Sequence, residues 1–229
     1  LFRRGMSLSM LWDELRNSPA FWFLKNYKTL RRLSTKAIFE AGILSAWLAK
    51  NIKDPFIVYS FWFSDPATAI SVLKNQGIIP TWISSIHGYD LFDERHPLKK
   101  QPFRSYKIKN LDAGYTDSIA AEKYLKSKVP PNLHSKINHR YLGVFIPDKL
   151  TPPTQDAVFT IVSCSNLIPL KRVHLIIEVL KKLSFPVEWI HLGDGYLKQD
   201  LIASCKELPE NIKFNFMGSI SSVNQVYLS

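Results

Sequence analysis

The chain has 229 residues, 46% of them hydrophobic and 13% aromatic, enough apolar material for two modest cores, which excludes wholesale disorder. Its net charge is +11, yet residues 151–229 carry seven basic and seven acidic side chains. The whole excess therefore sits in residues 1–150, with 23 basic groups against 12 acidic ones, and this half is expected to meet something anionic.

Residues 7–50 read as helix throughout. From Phe23 onward, Tyr27, Leu30, Ala37, Ile38 and Ala41 recur at helical spacing, and Lys25, Lys28, Arg32 and Lys36 form a second stripe. Pro19 suits the first turn of a second helix. After Asp54-Pro55 the period changes: Ile57 to Phe61 is β-branched and aromatic and reads as a buried strand. A helix from Asp65 to Gln76 follows, closed by Gly77. Trp82 to Ile86 is a second strand, ending in His87-Gly88-Tyr89-Asp90 and then a polar loop to about Pro102. A helix near Phe103 to Asn110, a strand from Ala113 to Thr116, a helix from Ser118 to Lys126 and a strand from Ile137 to Leu142 complete this half.

Residues 147–157 contain Pro147, Pro152 and Pro153 and read as a linker between a domain at 1–146 and another at 158–229. In the second, strands are expected at Val158 to Ser163, Val187 to Leu192 and Ile212 to Met217. Helices are expected from Arg172 to Leu183 and from Tyr196 to Leu208. This alternation predicts an α/β fold with parallel sheets, whose ligands sit at the carboxyl ends of the strands.

Cys164 and Cys205 have neither metal-ligand nor redox spacing and fit a reducing cytosol. No apolar run approaches the ~20 residues that span a bilayer. The first residues, Leu1-Phe2-Arg3-Arg4-Gly5, have neither a methionine nor a signal-peptide layout and read as the edge of a fragment.

Three strand-end loops of the second half carry candidate chemistry: Ser165-Asn166-Leu167-Ile168-Pro169-Leu170-Lys171, Gly193-Asp194-Gly195, and Met217-Gly218-Ser219. In a parallel sheet they lie on one rim. Lys171, near a helix N-terminus, adds a fixed cation suited to a diphosphate. The two glycines flanking Asp194 allow close backbone approach to a ligand. Each signal alone has an ordinary structural explanation; their order and placement give them weight.

Together with Leu192 and Phe216, these loops resemble the donor domain of family 4 glycosyltransferases of the GT-B fold. Upstream, Ser85-Ile86-His87-Gly88-Tyr89-Asp90 resembles the family's His-Gly loop, and Arg140-Tyr141-Leu142-Gly143-Val144 its passage into the linker. The resemblance implies two Rossmann-like domains, the second truncated. It also implies transfer of a sugar from a nucleoside-diphosphate sugar to a saccharide or lipid-linked saccharide, with retention and without metal or other cofactor, in polysaccharide biosynthesis. Ser165, Asn166, Lys171, Gly193, Asp194, Gly195 and Gly218 would bind the donor, and His87 would hydrogen-bond its sugar across a cleft. Asn166 stands where the family often has arginine. The family's Glu-x7-Glu motif and amino-terminal glycine-rich loop are absent, so this chain is not expected to turn over by itself.

Two other readings compete. A nucleotide-sugar 2-epimerase shares the architecture but needs an acid/base pair, which is not evident. A nucleic-acid-binding protein has only net charge in its favour, so no nucleic-acid partner is expected. His96, His134, His139, His174 and His191 show no ligand spacing and read as structural or surface. Asp90, Asp93 and Glu94 read as a solvated loop, and Trp12, Phe21, Trp22 and Phe23 as core. The basic stripe is either a solvated face or a surface for anionic lipid, which would put the protein in the cytoplasm, peripherally on the inner membrane face.

Overall fold

A computed structural model of the chain describes residues 2–143 and 158–221, which fall into two compact units, Leu1–Val144 and Phe145–Ser229. The linker expected at 147–157 lies outside the described residues.

The first unit opens with two helices, α1 (Phe2–Arg16) and α2 (Ala20–Asn51), with Pro19 as the residue before α2. At 1.5 Å per residue, α2 is about 48 Å long. Its buried positions, Phe23, Leu30, Ser34, Ala37, Ile38, Ala41 and Leu48, keep the three-to-four spacing that puts them on one side. That side packs on α1 and on α3 (Asp65–Asn75). Gly77 closes α3 with φ +71, a conformation that costs glycine little.

Four parallel strands follow the order β1-β2-β3-β4: β1 (Val58–Ser60), β2 (Trp82–Ile86), β3 (Ala113–Thr116) and β4 (Ile137–His139). In β2, Trp82, Ser84 and Ile86 are buried and alternate with half-buried Ile83 and Ser85, as the two-residue pleat requires. β1 corrects one expectation. It is a short edge strand in which only Ser60 is buried, while Ile57, Tyr59 and Phe61 are exposed. β-branched and aromatic residues marked the strand, but its position in the sheet decides which of them are covered. β4 is also shorter than expected, and Tyr141 and Leu142 are exposed.

Other helices complete the crossovers. α4 (Gly88–Leu91) is a single turn where a loop was expected, and α5 (Arg104–Asn110) and α6 (Ile119–Ser127) follow. Ser118 caps α6 by accepting the Ala121 N–H at 3.2 Å.

The second unit has three parallel strands in the order β5-β6-β7: β5 (Phe159–Cys164), β6 (Val187–Leu192) and β7 (Ile212–Gly218). The crossovers are α7 (His174–Leu180) and α8 (Lys198–Cys205). Val173, Ile177 and Leu180 are buried on one side of α7, against a core that includes Trp189.

The four aromatics at the start of the chain divide. Phe23 is buried and Trp22 packs on the core, donating its indole N–H to the Leu98 carbonyl at 2.9 Å. Trp12 and Phe21 are exposed, which corrects their assignment to the core.

Candidate functional site

In the first unit, His87 terminates β2, the second strand from the β1 edge of its sheet. The residue is 9% exposed, and its imidazole lies against the rings of Phe61 and Trp62, with centroids 4.8 and 4.9 Å away. Asp90 fixes this turn. One carboxylate oxygen accepts the His87 N–H at 2.8 Å and the other the Phe63 N–H at 2.6 Å, tying the exit of β2 to the segment after β1. Lys107 lies behind, fully buried, donating to the Phe63 carbonyl at 2.6 Å. Burial raises the Asp90 carboxyl above its ordinary range and pushes the Lys107 ammonium down to about 8, so desolvation outweighs their mutual attraction. Among the described residues, the His87 Nε2 atom is buried without a hydrogen-bond partner. A buried polar atom of this kind calls for an explanation.

Asp90 and Asp93 are not the solvated loop carboxylates expected from the sequence. Asp90 is 2% exposed, and Asp93 accepts from Arg104 at 2.7 Å and from the Gln101 N–H at 2.9 Å. Burial works against the Asp93 anion, but the Arg104 hydrogen bond and charge win and hold its carboxyl low. Both carboxylates bind protein donors and are committed to structure. Glu94 is exposed, as expected.

In the second unit, the three expected loops meet at the carboxyl ends of adjacent strands. The Ser165 N–H reaches the Leu192 carbonyl at 3.0 Å, the Leu167 N–H the Asp194 carbonyl at 3.0 Å, and the Gly193 N–H the Gly218 carbonyl at 2.8 Å. The glycines have a cause that the sequence did not disclose. A Cβ on Gly193 would lie 2.1 Å from the Ser165 carbonyl oxygen, and one on Gly195 2.4 Å from that of Leu167. Both positions admit the neighbouring loop's backbone. Gly218, at φ +76, has no backbone so close.

Asp194 is half-exposed and ion-paired with Lys198 at 2.9 Å, which, with the Gly195 N–H at 2.8 Å, holds its carboxyl below the ordinary range. Lys198 adds a cation to this rim that the sequence reading missed; its i,i+4 spacing from Asp194 on a helix start was the available signal. Lys171 ends a 3₁₀ turn, Pro169–Lys171, three residues before the start of α7. Among the described residues its exposed ammonium has no ion-pair partner. Asn166 is exposed at the same loop. One rim thus gathers a cation and a polar amide at the end of a parallel sheet, a combination that can hold a phosphorylated ligand.

No family model matches the chain, and no curated protein does. Solved structures do. The apo form of WaaB, a lipopolysaccharide outer core galactosyltransferase, superposes with a TM-score of 0.59 at 17% identity, covering 87% of this chain and 52% of that one. TarM gives 0.57 at 16%, covering 81% and 37%, and Anabaena HepE in complex with UDP gives 0.56 at 16%, covering 81% and 53%. These likenesses show an α/β fold of the GT-B type, as expected. The chain spans about half the length of these proteins, or less.

Proposed function

We propose that this chain belongs to a glycosyltransferase that takes its sugar from a nucleoside-diphosphate donor, bound at the β5–β7 rim. The convergence of the Ser165–Lys171, Gly193–Gly195 and Gly218 loops on one rim, with the Lys171 ammonium left for a ligand, carries this reading. Asn166 and Lys171 contact the diphosphate, Ser165, Gly193, Asp194, Gly195 and Gly218 shape the nucleotide pocket, and His87 binds the donor sugar. A leaving diphosphate develops charge as the glycosidic bond breaks. The family resemblance implies no metal, so fixed cations and backbone N–H groups stabilise that charge without reorganising. The solved HepE complexes with UDP and with UDP-glucose support a uridine nucleotide as the first donor to test.

Calorimetric titration of the full chain with uridine, guanosine and adenosine diphosphates tests the site. Lys171→Ala is expected to weaken the best of them by about 1–3 kcal/mol, the range for a lost charge-assisted hydrogen bond. Affinity that Lys171→Ala leaves unchanged removes this residue from the site.

The acceptor is a saccharide or lipid-linked saccharide in a polysaccharide pathway, transfer is with retention, and the first unit rests on the anionic inner face of the membrane. No described helix is long and apolar enough to cross a membrane. The outward side of α2 supports the surface reading: Lys25, Lys28, Arg31, Arg32 and Lys36 are exposed between exposed Phe21 and Leu24 on one end and Phe39, Ile43 and Trp47 on the other. Cations attract anionic headgroups at about 1 kcal/mol each, and the flanking apolar groups enter the interface. Lys36 contributes less, being shared with Asp65 at 3.3 Å and Glu40 at 3.7 Å. Co-sedimentation with phosphatidylglycerol-containing vesicles at low salt, lost with pure phosphatidylcholine, is the expected result. Equal recovery with both refutes it.

A further inference from the structure

His191 has no place in the reading of the sequence beyond structure or surface, and the second unit gives it more. It is the fifth residue of β6, fully buried, opposite Ser163 on β5 and Phe216 on β7. Its Nδ1 lies 2.8 Å from the Ser163 hydroxyl oxygen, and its Nε2 lies 3.0 Å from the Ser165 carbonyl oxygen. The Trp189 indole N–H donates to the same Ser163 oxygen at 2.8 Å.

Donor and acceptor chemistry fixes the protons along this line. An indole N–H only donates, so Ser163 accepts from Trp189 and turns its own proton toward His191 Nδ1. A carbonyl only accepts, so the proton of the neutral ring sits on Nε2. The bond at one nitrogen thus sets the tautomer that serves the other. Burial lowers the imidazole's affinity for a second proton, and the Ser165 carbonyl only partly offsets this, so the ring stays neutral at pH 7. The flanking rings, Trp189 and Phe216, are uncharged.

The consequence lies one peptide further on. In a trans peptide the C=O and the following N–H point in opposite directions. With the Ser165 carbonyl turned toward His191, the Asn166 N–H is turned away from the ring. Among the described residues that N–H has no hydrogen-bond partner, whereas the Ser165 and Leu167 N–H groups on either side are both bonded within the rim. We propose that His191 is a positioning residue of the donor site: its Nε2–H holds the Ser165 carbonyl inward, and the Asn166 N–H is thereby presented to a phosphate oxygen of a nucleoside diphosphate. The inference rests on the donor reading above and adds to it a specific backbone donor and the side chain that aims it.

Three measurements on the full chain test it, with uridine diphosphate as the probe. In wild type, ¹⁵N shifts are expected to report the Nε2–H tautomer of His191 at pH 7; the other tautomer, or an imidazolium, overturns the proposal without any variant. In amide spectra, uridine diphosphate is expected to shift the Asn166 resonance, and an unmoved Asn166 in a saturated complex overturns it too. His191→Phe keeps a ring but lacks the donor, and is expected to weaken uridine diphosphate by about three- to tenfold. His191→Gln, whose amide can donate to Ser165, is expected to recover most of that loss, which a purely packing role for the ring does not predict. If His191→Phe folds and binds as wild type while Lys171→Ala is weakened, the donor reading stands and the role of His191 falls. If wild type binds none of uridine, guanosine and adenosine diphosphate, both fall.

Discussion

Replacing Lys107 by methionine probes the charge buried beneath His87. The ammonium is fully buried, and burial lowers it from 10.5 to about 8. Below pH 8 the folded and the unfolded chain both carry this proton, and above pH 10.5 neither does. Between those values the unfolded chain binds more protons, so unfolding free energy climbs with pH. A span of 10.5 to about 8 corresponds to about 3 kcal/mol at 1.36 kcal/mol per pH unit. Lys107→Met lacks this contribution. Urea unfolding at intervals from pH 7 to 10.5 reads it as the difference between wild type and variant, in which the other titrating groups cancel. Five of the six tryptophans lie in residues 1–144, so indole fluorescence reports chiefly on the unit that holds Lys107. Wild type is expected to gain about 3 kcal/mol on the variant across this range. A difference that stays flat, or that falls as pH rises, refutes the buried-charge account of the Asp90–Phe63–Lys107 network.

Further outcomes follow from single contacts. Gly193→Ala forces a Cβ to within 2.1 Å of the Ser165 carbonyl at φ +131, and is expected to lower the unfolding free energy of the second unit by at least about 2 kcal/mol; a neutral result in thermal melts counts against the close approach of these loops. Glu14 is 1% exposed and accepts from the Phe103 N–H at 2.7 Å and from Lys100 at 2.6 Å. Glu14→Ala removes the buried acceptor of these bonds and should cost the first unit about 1.5–3 kcal/mol by urea titration. Cys164 is exposed, whereas burial pushes the Cys205 thiol up to about 11. A thiol reagent at pH 8 is therefore expected to label one cysteine per native chain and two per denatured chain, and equal rates at both refute the packing of α8.

Much of the fold was legible because helix and strand periods are local. Trp82 to Ile86, Ala113 to Thr116 and Val187 to Leu192 are strands to the residue, since β-branched and aromatic runs there end at glycine, proline or polar turns. The side-by-side placement of the Ser165, Gly193 and Gly218 loops also followed from the sequence, because parallel strands joined by helices put equivalent ends on one rim. Sequence spacing did not decide which partners those residues meet. His191 looked like any unpaired histidine until β5 brought Ser163 and Ser165 to its two nitrogens. Asp90 looked solvated until the backbone after β1 arrived at its second oxygen. Tyr59 and Phe61 looked like core until their strand took the edge of its sheet. Each of these depends on contacts between residues more than 20 positions apart. A hydrogen bond or a covered face of that kind exists only after the chain has closed on itself, and no local pattern encodes it.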